Sequence, residues 1–87
     1  MVLQGLDEEG LHTRAVMVRE NSYADGKTLQ ELHLRNEFGI TILTIKRDDQ
    51  AIGNPDGSFK IAVNDRLIMM GNADQFVKCA HLFRPAE

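Results

Sequence analysis

A single cysteine, Cys79, stands in the 87-residue chain, so no internal disulfide can form and no cysteine-based zinc cluster can assemble. One thiol fits a reducing cytoplasm. Long apolar runs are missing: Leu67 to Met70 is among the longest, far short of the roughly 20 residues a membrane helix needs. No charged segment followed by an apolar one opens the chain, as an export signal would. Lys and Arg are scattered and the net charge is −3, which leaves no basic stripe for a nucleic-acid polymer. There is neither an internal repeat nor a low-complexity stretch. These absences describe a cytosolic module without direct membrane insertion, attached to or cut from something larger.

What is present is an ordinary globular composition, apolar enough at 43% to argue against disorder. A chain this small buries only about 60% of its unfolded surface. Packing against a second copy would therefore help it.

Residues 1–12 are polar, with Gly5 and Gly10 around Asp7-Glu8-Glu9, and read as a linker or leader before a domain spanning 13–87. Thr13 to Arg19 holds a β-branched run and predicts the first strand. Thr28 and Glu31 have capping-box spacing, opening a short helix that puts Leu29 and Leu32 on one face and ends near Arg35 or Asn36. Gly39 closes that connection, where a positive φ costs a glycine little. Ile40 to Lys46 is the strongest strand, and neither of its faces is polar, which predicts cover on both sides. Asp48-Asp49 turns into a short strand at Ala51-Ile52, and Gly53 to Gly57 is a dense loop. Phe59, Ile61 and Val63 alternate with Lys60 and Ala62, a strand pattern. Asn64-Asp65 turns into Leu67–Met70. Asn72 then caps a helix whose apolar stripe is Phe76, Val77, Ala80 and Phe83. The class is α+β: a small mixed or antiparallel sheet of four to five strands with two helices.

No catalytic constellation emerges. Ser22 has no nucleophile-elbow context. Gly26-Lys27-Thr28 resembles the tail of a phosphate loop without the glycine that must precede it. His12, His33 and His81 lack ligand spacing, and turn chemistry accounts for Asp48, Asp49, Asp56 and Asp65. Cys79 lies near the apolar stripe and reads as packing. Arg35 suits a helix C-terminal cation as well as a ligand contact. His33 reads as a surface or interface histidine.

Four short signals nonetheless fall in one order. Gly26-Lys27-Thr28-Leu29 opens the helix; Gly39, Ile42, Ile45 and Arg47 follow; Pro55 comes after a hairpin; and Asp65, Leu67 and Gly71 close the series. Together, over Thr13 to Phe83, they resemble the TrkA-C (RCK C-terminal) domain, attached to potassium channels and cation transporters. One departure is Asn64 where that pattern has glycine, and Asn tolerates the left-handed backbone. The resemblance implies a non-catalytic regulatory domain, a two-fold homodimer on the cytoplasmic side of a membrane channel, uptake system or monovalent cation:proton antiporter. Some members hold a small ligand such as cyclic di-AMP between protomers. It puts forward His33, Arg35, Thr41, Ile42 and Leu43 as ligand-binding residues, with two symmetry-related Arg35 side chains clamping two phosphates. At two of these positions the nucleotide-binding members often carry Asp and Asn; here stand His33 and Thr41. Two alternatives stay open: an ACT-like amino-acid sensor, which needs a strand after the second helix, and a structural dimerisation module without ligand.

Overall fold

The computed structural model describes residues 10–85. Its frame is one four-stranded antiparallel sheet, formed by β1 (Leu11–Met17), β2 (Thr41–Arg47), β3 (Gln50–Gly53) and β4 (Arg66–Asn72) in the order β1-β4-β2-β3. Three short helices, α1 (Leu29–Leu32), α2 (Leu34–Phe38) and α3 (Ala73–Cys79), complete it, with a 3-10 turn at Ala80–Phe83. Among the described residues no helix is long and apolar enough to cross a membrane.

Register sorts the side chains. Leu67 lies opposite Val16 on one neighbour and Ile45 on the other, and Met69 lies opposite Ile42. This row joins Leu32, Leu34, Ile40, Phe76 and Phe83 in the hydrophobic core. The alternate row, with Ala15 and Thr44 opposite Ile68 and Thr13 and Thr41 opposite Met70, is only half-buried or exposed. The expectation that β2 is covered on both sides is therefore corrected. Ile45 is fully buried, whereas Leu43, at a bulge between Ile42 and Thr44, is 38% exposed.

The first strand begins at Leu11 and ends at Met17, earlier than the sequence pattern suggests. Beyond Met17 its partner β4 has run out at Arg66. Val18 instead bonds to the turn, its N–H donating to the Asp65 carbonyl at 2.9 Å and its carbonyl accepting from Asn64 at 2.9 Å.

The first helix is broken where continuity was expected. His33 adopts a left-handed conformation (φ 53°, ψ 35°) between α1 and α2. Leu32 and Leu34 are both 3% exposed. Two positions apart on a continuous helix they would face opposite ways; the left-handed joint lets both reach the core. After α2, Gly39 (φ 70°) donates to the Arg35 carbonyl at 3.1 Å and Ile40 to that of Leu34 at 3.0 Å, a Schellman closure.

The expected strand at Phe59–Val63 is absent. Ile61 is buried, but its segment bonds outside the sheet: Ile61 N–H donates to the Lys27 carbonyl at 2.8 Å, and the Phe59 carbonyl accepts from Leu29 at 3.1 Å. Lys60 makes only an isolated bridge with Thr28. Alternation reported burial of every second residue, not the partner.

Both helix starts follow local chemistry. Thr28 and Glu31 form the capping box, at 2.8 and 3.2 Å. Asn72 and Gln75 form a second, with both bonds at 2.8 Å. Gln75 threads between two glycines: a Cβ on Gly39 would collide with its side-chain amide, and one on Gly71 would lie 2.9 Å from its Oε1 and 2.6 Å from Ile40 Cδ1. Replacing Asn72 with Ala is expected to cost about 1 kcal/mol, a melting-temperature drop of about 4–8 °C by calorimetry. An unchanged transition would show that the cap contributes nothing.

The C-terminal stripe keeps Phe76 and Phe83 but exchanges Val77 and Ala80 for Cys79 and Leu82. Cys79 and Leu82 are buried with Phe76 and Phe83, while Val77 is 73% exposed. A 3-10 turn, not a further strand, follows α3. The strand an ACT-like sensor requires is missing among the described residues.

Candidate functional site

The left-handed joint at His33 aims the end of the helical pair toward the start of β2. His33 and Arg35 are exposed there, and Thr41 and Ile42 are half-buried beside them. All four line one open pocket of about 470 Å³, with Leu34 and Ile40 supplying apolar wall. That size suits a small molecule. The fifth residue put forward, Leu43, lies outside this lining; the bulge leaves it exposed next to the β3 end, its carbonyl accepting from Asn54 N–H at 3.0 Å.

The opposite wall is one that the sequence pattern does not mark as part of the site. It is the loop Asn54–Gly57, with Gln30 from α1. The loop is tied in place, since Gln30 N–H donates to the Gly57 carbonyl at 2.9 Å. Its internal turn is set by Asp56, whose Oδ1 accepts from the Ser58 hydroxyl at 2.6 Å and the Ser58 N–H at 2.9 Å. These bonds from Ser58 hold the Asp56 carboxyl below its ordinary range. The signal available beforehand was the density of turn formers from Gly53 to Gly57. It marks a loop but not what the loop faces.

Charge in the pocket is nearly balanced. Arg35 is the permanent cation and Asp56 the acid among its lining residues. A two-fold copy facing it would bring a second guanidinium, as a ligand with two separated anionic groups needs. Nothing here resembles a catalytic pair: no nucleophile stands beside a base. Among the described residues no group of three or more His, Cys, Asp or Glu side chains gathers to hold a metal. Cys79 is 1% exposed, and burial pushes its thiol pKa up, away from reactivity.

At the other end of β2 lies the Asn64–Asp65 turn. Asn64 takes the left-handed conformation (φ 75°) expected of the residue replacing glycine. Asp65 is 1% exposed and receives Arg47 Nε at 2.9 Å, Arg47 Nη2 at 2.8 Å and the Ala62 N–H at 2.9 Å. Burial opposes its ionisation, but the bonds from Arg47 and Ala62 outweigh it and hold the carboxyl below its usual range.

The fold is a small α+β domain with an open pocket lined by His33, Arg35, Thr41 and Ile42. The chain belongs to the TrkA-C domain family, whose model matches residues 13–83, and such domains occur in potassium channels and transporters. Over 71 residues it is 31% identical to potassium channel protein 1 of Methanocaldococcus jannaschii, covering 82% of this chain and 21% of the channel. The chain spans between 10% and 43% of the length of the curated relatives it matches. Among solved structures it is similar to the RCK C domain of the potassium transport protein KtrA in complex with cyclic di-AMP. That likeness has 26% identity and a TM-score of 0.73, covering 88% of this chain and 89% of that one. It is likewise similar to the RCK_C domain dimer of S. agalactiae BusR in complex with cyclic di-AMP, at 26% identity and a TM-score of 0.75, covering 84% and 90%. A longer BusR chain, of which this one covers 35%, is solved with its promoter DNA.

Proposed function

We propose that this domain is a cytoplasmic, dimer-forming sensor for a potassium channel, uptake system or monovalent cation:proton antiporter. Its ligand in this reading is a small doubly anionic nucleotide, cyclic di-AMP or a close analogue. The observation that carries it is the convergence of His33, Arg35, Thr41 and Ile42 on one pocket of about 470 Å³. Two copies related by a two-fold axis would present two Arg35 guanidiniums to two phosphates, while Ile42 and Pro55 give apolar surface to the bases. Leu43, exposed beside the pocket, supplies apolar area at the contact between copies.

Regulation follows from linkage. A ligand that binds one dimer arrangement more tightly shifts the population toward it, and the attached gate moves with it.

Calorimetry of the 87-residue chain with cyclic di-AMP is the test. Binding at micromolar concentrations is expected, weakened at least about tenfold by Arg35→Ala, since a charge-assisted bond to phosphate is worth about 1.5–3 kcal/mol. Absence of heat at micromolar protein would remove the nucleotide. A dimer in sedimentation velocity without any heat would favour the structural dimerisation module.

A further inference from the structure

A second concavity, of about 430 Å³, opens where β1 meets α3 and the 3-10 turn, remote in sequence from the Arg35 pocket. Its floor is apolar: Val16 from β1, Phe76 and Cys79 from α3, and Phe83. Around that floor stand three arginines, Arg14, Arg19 and Arg84, and no acidic residue lines it. Among the described residues none of the three is in an ion pair; the two bridges present are Arg47–Asp65 and Lys78–Asp74. Arg14 lies over the Phe76 ring at 5.3 Å, which fixes a guanidinium directly above the floor. The Arg19 N–H donates to the Phe83 carbonyl at 3.3 Å, holding the second rim segment against the third.

The charge distribution is contrary to that of the whole chain. The protein is acidic overall, yet three like charges crowd one apolar cleft. Low-dielectric walls focus such a field and raise the local concentration of anions. Arginine's planar fork matches carboxylate geometry, and it is more weakly hydrated than lysine, so it binds at the edge of an apolar surface. The volume is that of a small-molecule cleft. The floor offers a nucleobase few hydrogen-bonding partners, whereas a hydrocarbon body gains from burial there.

We infer that this cleft is a second ligand site, for a monoanionic amphiphile: a carboxylate on a compact hydrocarbon or aromatic body, its head among Arg14, Arg19 and Arg84 and its tail on the accessible apolar lining of Val16, Met17 and Ala80. It is independent of the nucleotide reading, because no residue is shared between the two pockets.

The test uses the whole chain and the fluorescent anion anilinonaphthalene sulfonate, displaced by decanoate. Wild type is expected to enhance the probe's emission and to release it to decanoate but not to decanol. The double variant Arg14→Gln/Arg84→Gln should weaken both ligands at least about tenfold, the loss of one charge-assisted bond. Because these arginines are exposed, circular dichroism should show the variant folded. Ala80→Trp, which fills the cleft, should abolish probe binding with the arginines intact; should it not fold, the double variant alone decides. Equal probe affinity in wild type and the arginine variant would overturn the site, as would displacement by decanol as effective as by decanoate. Emission that disappears with rising protein concentration, in step with dimer formation, would assign this face to a second copy and overturn it as well.

Discussion

Asp65→Ala is expected to lower unfolding free energy by about 3 kcal/mol, the lower end for breaking a buried ion pair. The carboxylate accepts three bonds, from Arg47 Nε, Arg47 Nη2 and the Ala62 N–H. Arg47 also donates to the Lys60 carbonyl at 3.0 Å and lies over the Phe59 ring at 5.0 Å. One carboxylate thus ties β2 both to the start of β4 and to the segment that forms no strand. The estimate stays at the low end because the Arg47 side chain is 38% exposed and its charge can rehydrate. A domain of this size has about 4–13 kcal/mol in all, so the loss is a large fraction. Urea titration reads it as a lower midpoint; a change under about 1 kcal/mol would show the pair to be surface decoration.

The same carboxyl sets an acid limit. Its folded-state pKa is lowered, so its contribution is complete above the unfolded value of about 3.9 and fades as pH falls through the depressed folded value. Wild type should therefore lose stability most steeply below about pH 4, and Asp65→Ala should flatten that limb. Parallel wild-type and variant curves would refute the linkage.

Phe83→Ala is the second large loss, about 3–5 kcal/mol as for other buried aromatic truncations. Phe83 is 2% exposed and closes the core from the 3-10 turn, while the neighbouring Leu82 carbonyl accepts from Ala24 N–H at 2.9 Å. Removing the ring opens a cavity and loosens the strap that pins the chain after β1. A melting-temperature fall of roughly 12 °C or more is expected. Val77→Ala is the matched control: at 73% exposure it should change little. Similar losses from both would place the stripe where its helical spacing first suggests.

Features that one or two residues decide were legible from sequence. Thr28, Gly39, Asn64 and Asn72 each take the cap or left-handed backbone their chemistry implies. Those that depend on distant partners were not. His33 bends because Leu32 and Leu34 compete for the same core, a conflict no helical period displays. Phe59 and Ile61 alternate as a strand would, yet their bonds go to Lys27 and Leu29. Near walls of the pocket, around Arg35 and Thr41, are close in sequence and were found together. The far wall, Asn54 to Gly57, arrives only when the β2–β3 hairpin folds back, and Leu43 leaves the lining through a bulge that register alone reveals.

Gln75 has a consequence for how this chain can change. Its amide fills the space that a Cβ on Gly39 or Gly71 would need while it caps α3. Gly71 and Gln75 lie close in the chain and Gly39 lies far from both, yet the three share one space. A side chain at either glycine must displace the Gln75 amide, and at Gly71 Ile40 as well; the displacement releases the bond from the Asn72 N–H but leaves the Asn72 side chain capping the N–H of Gln75.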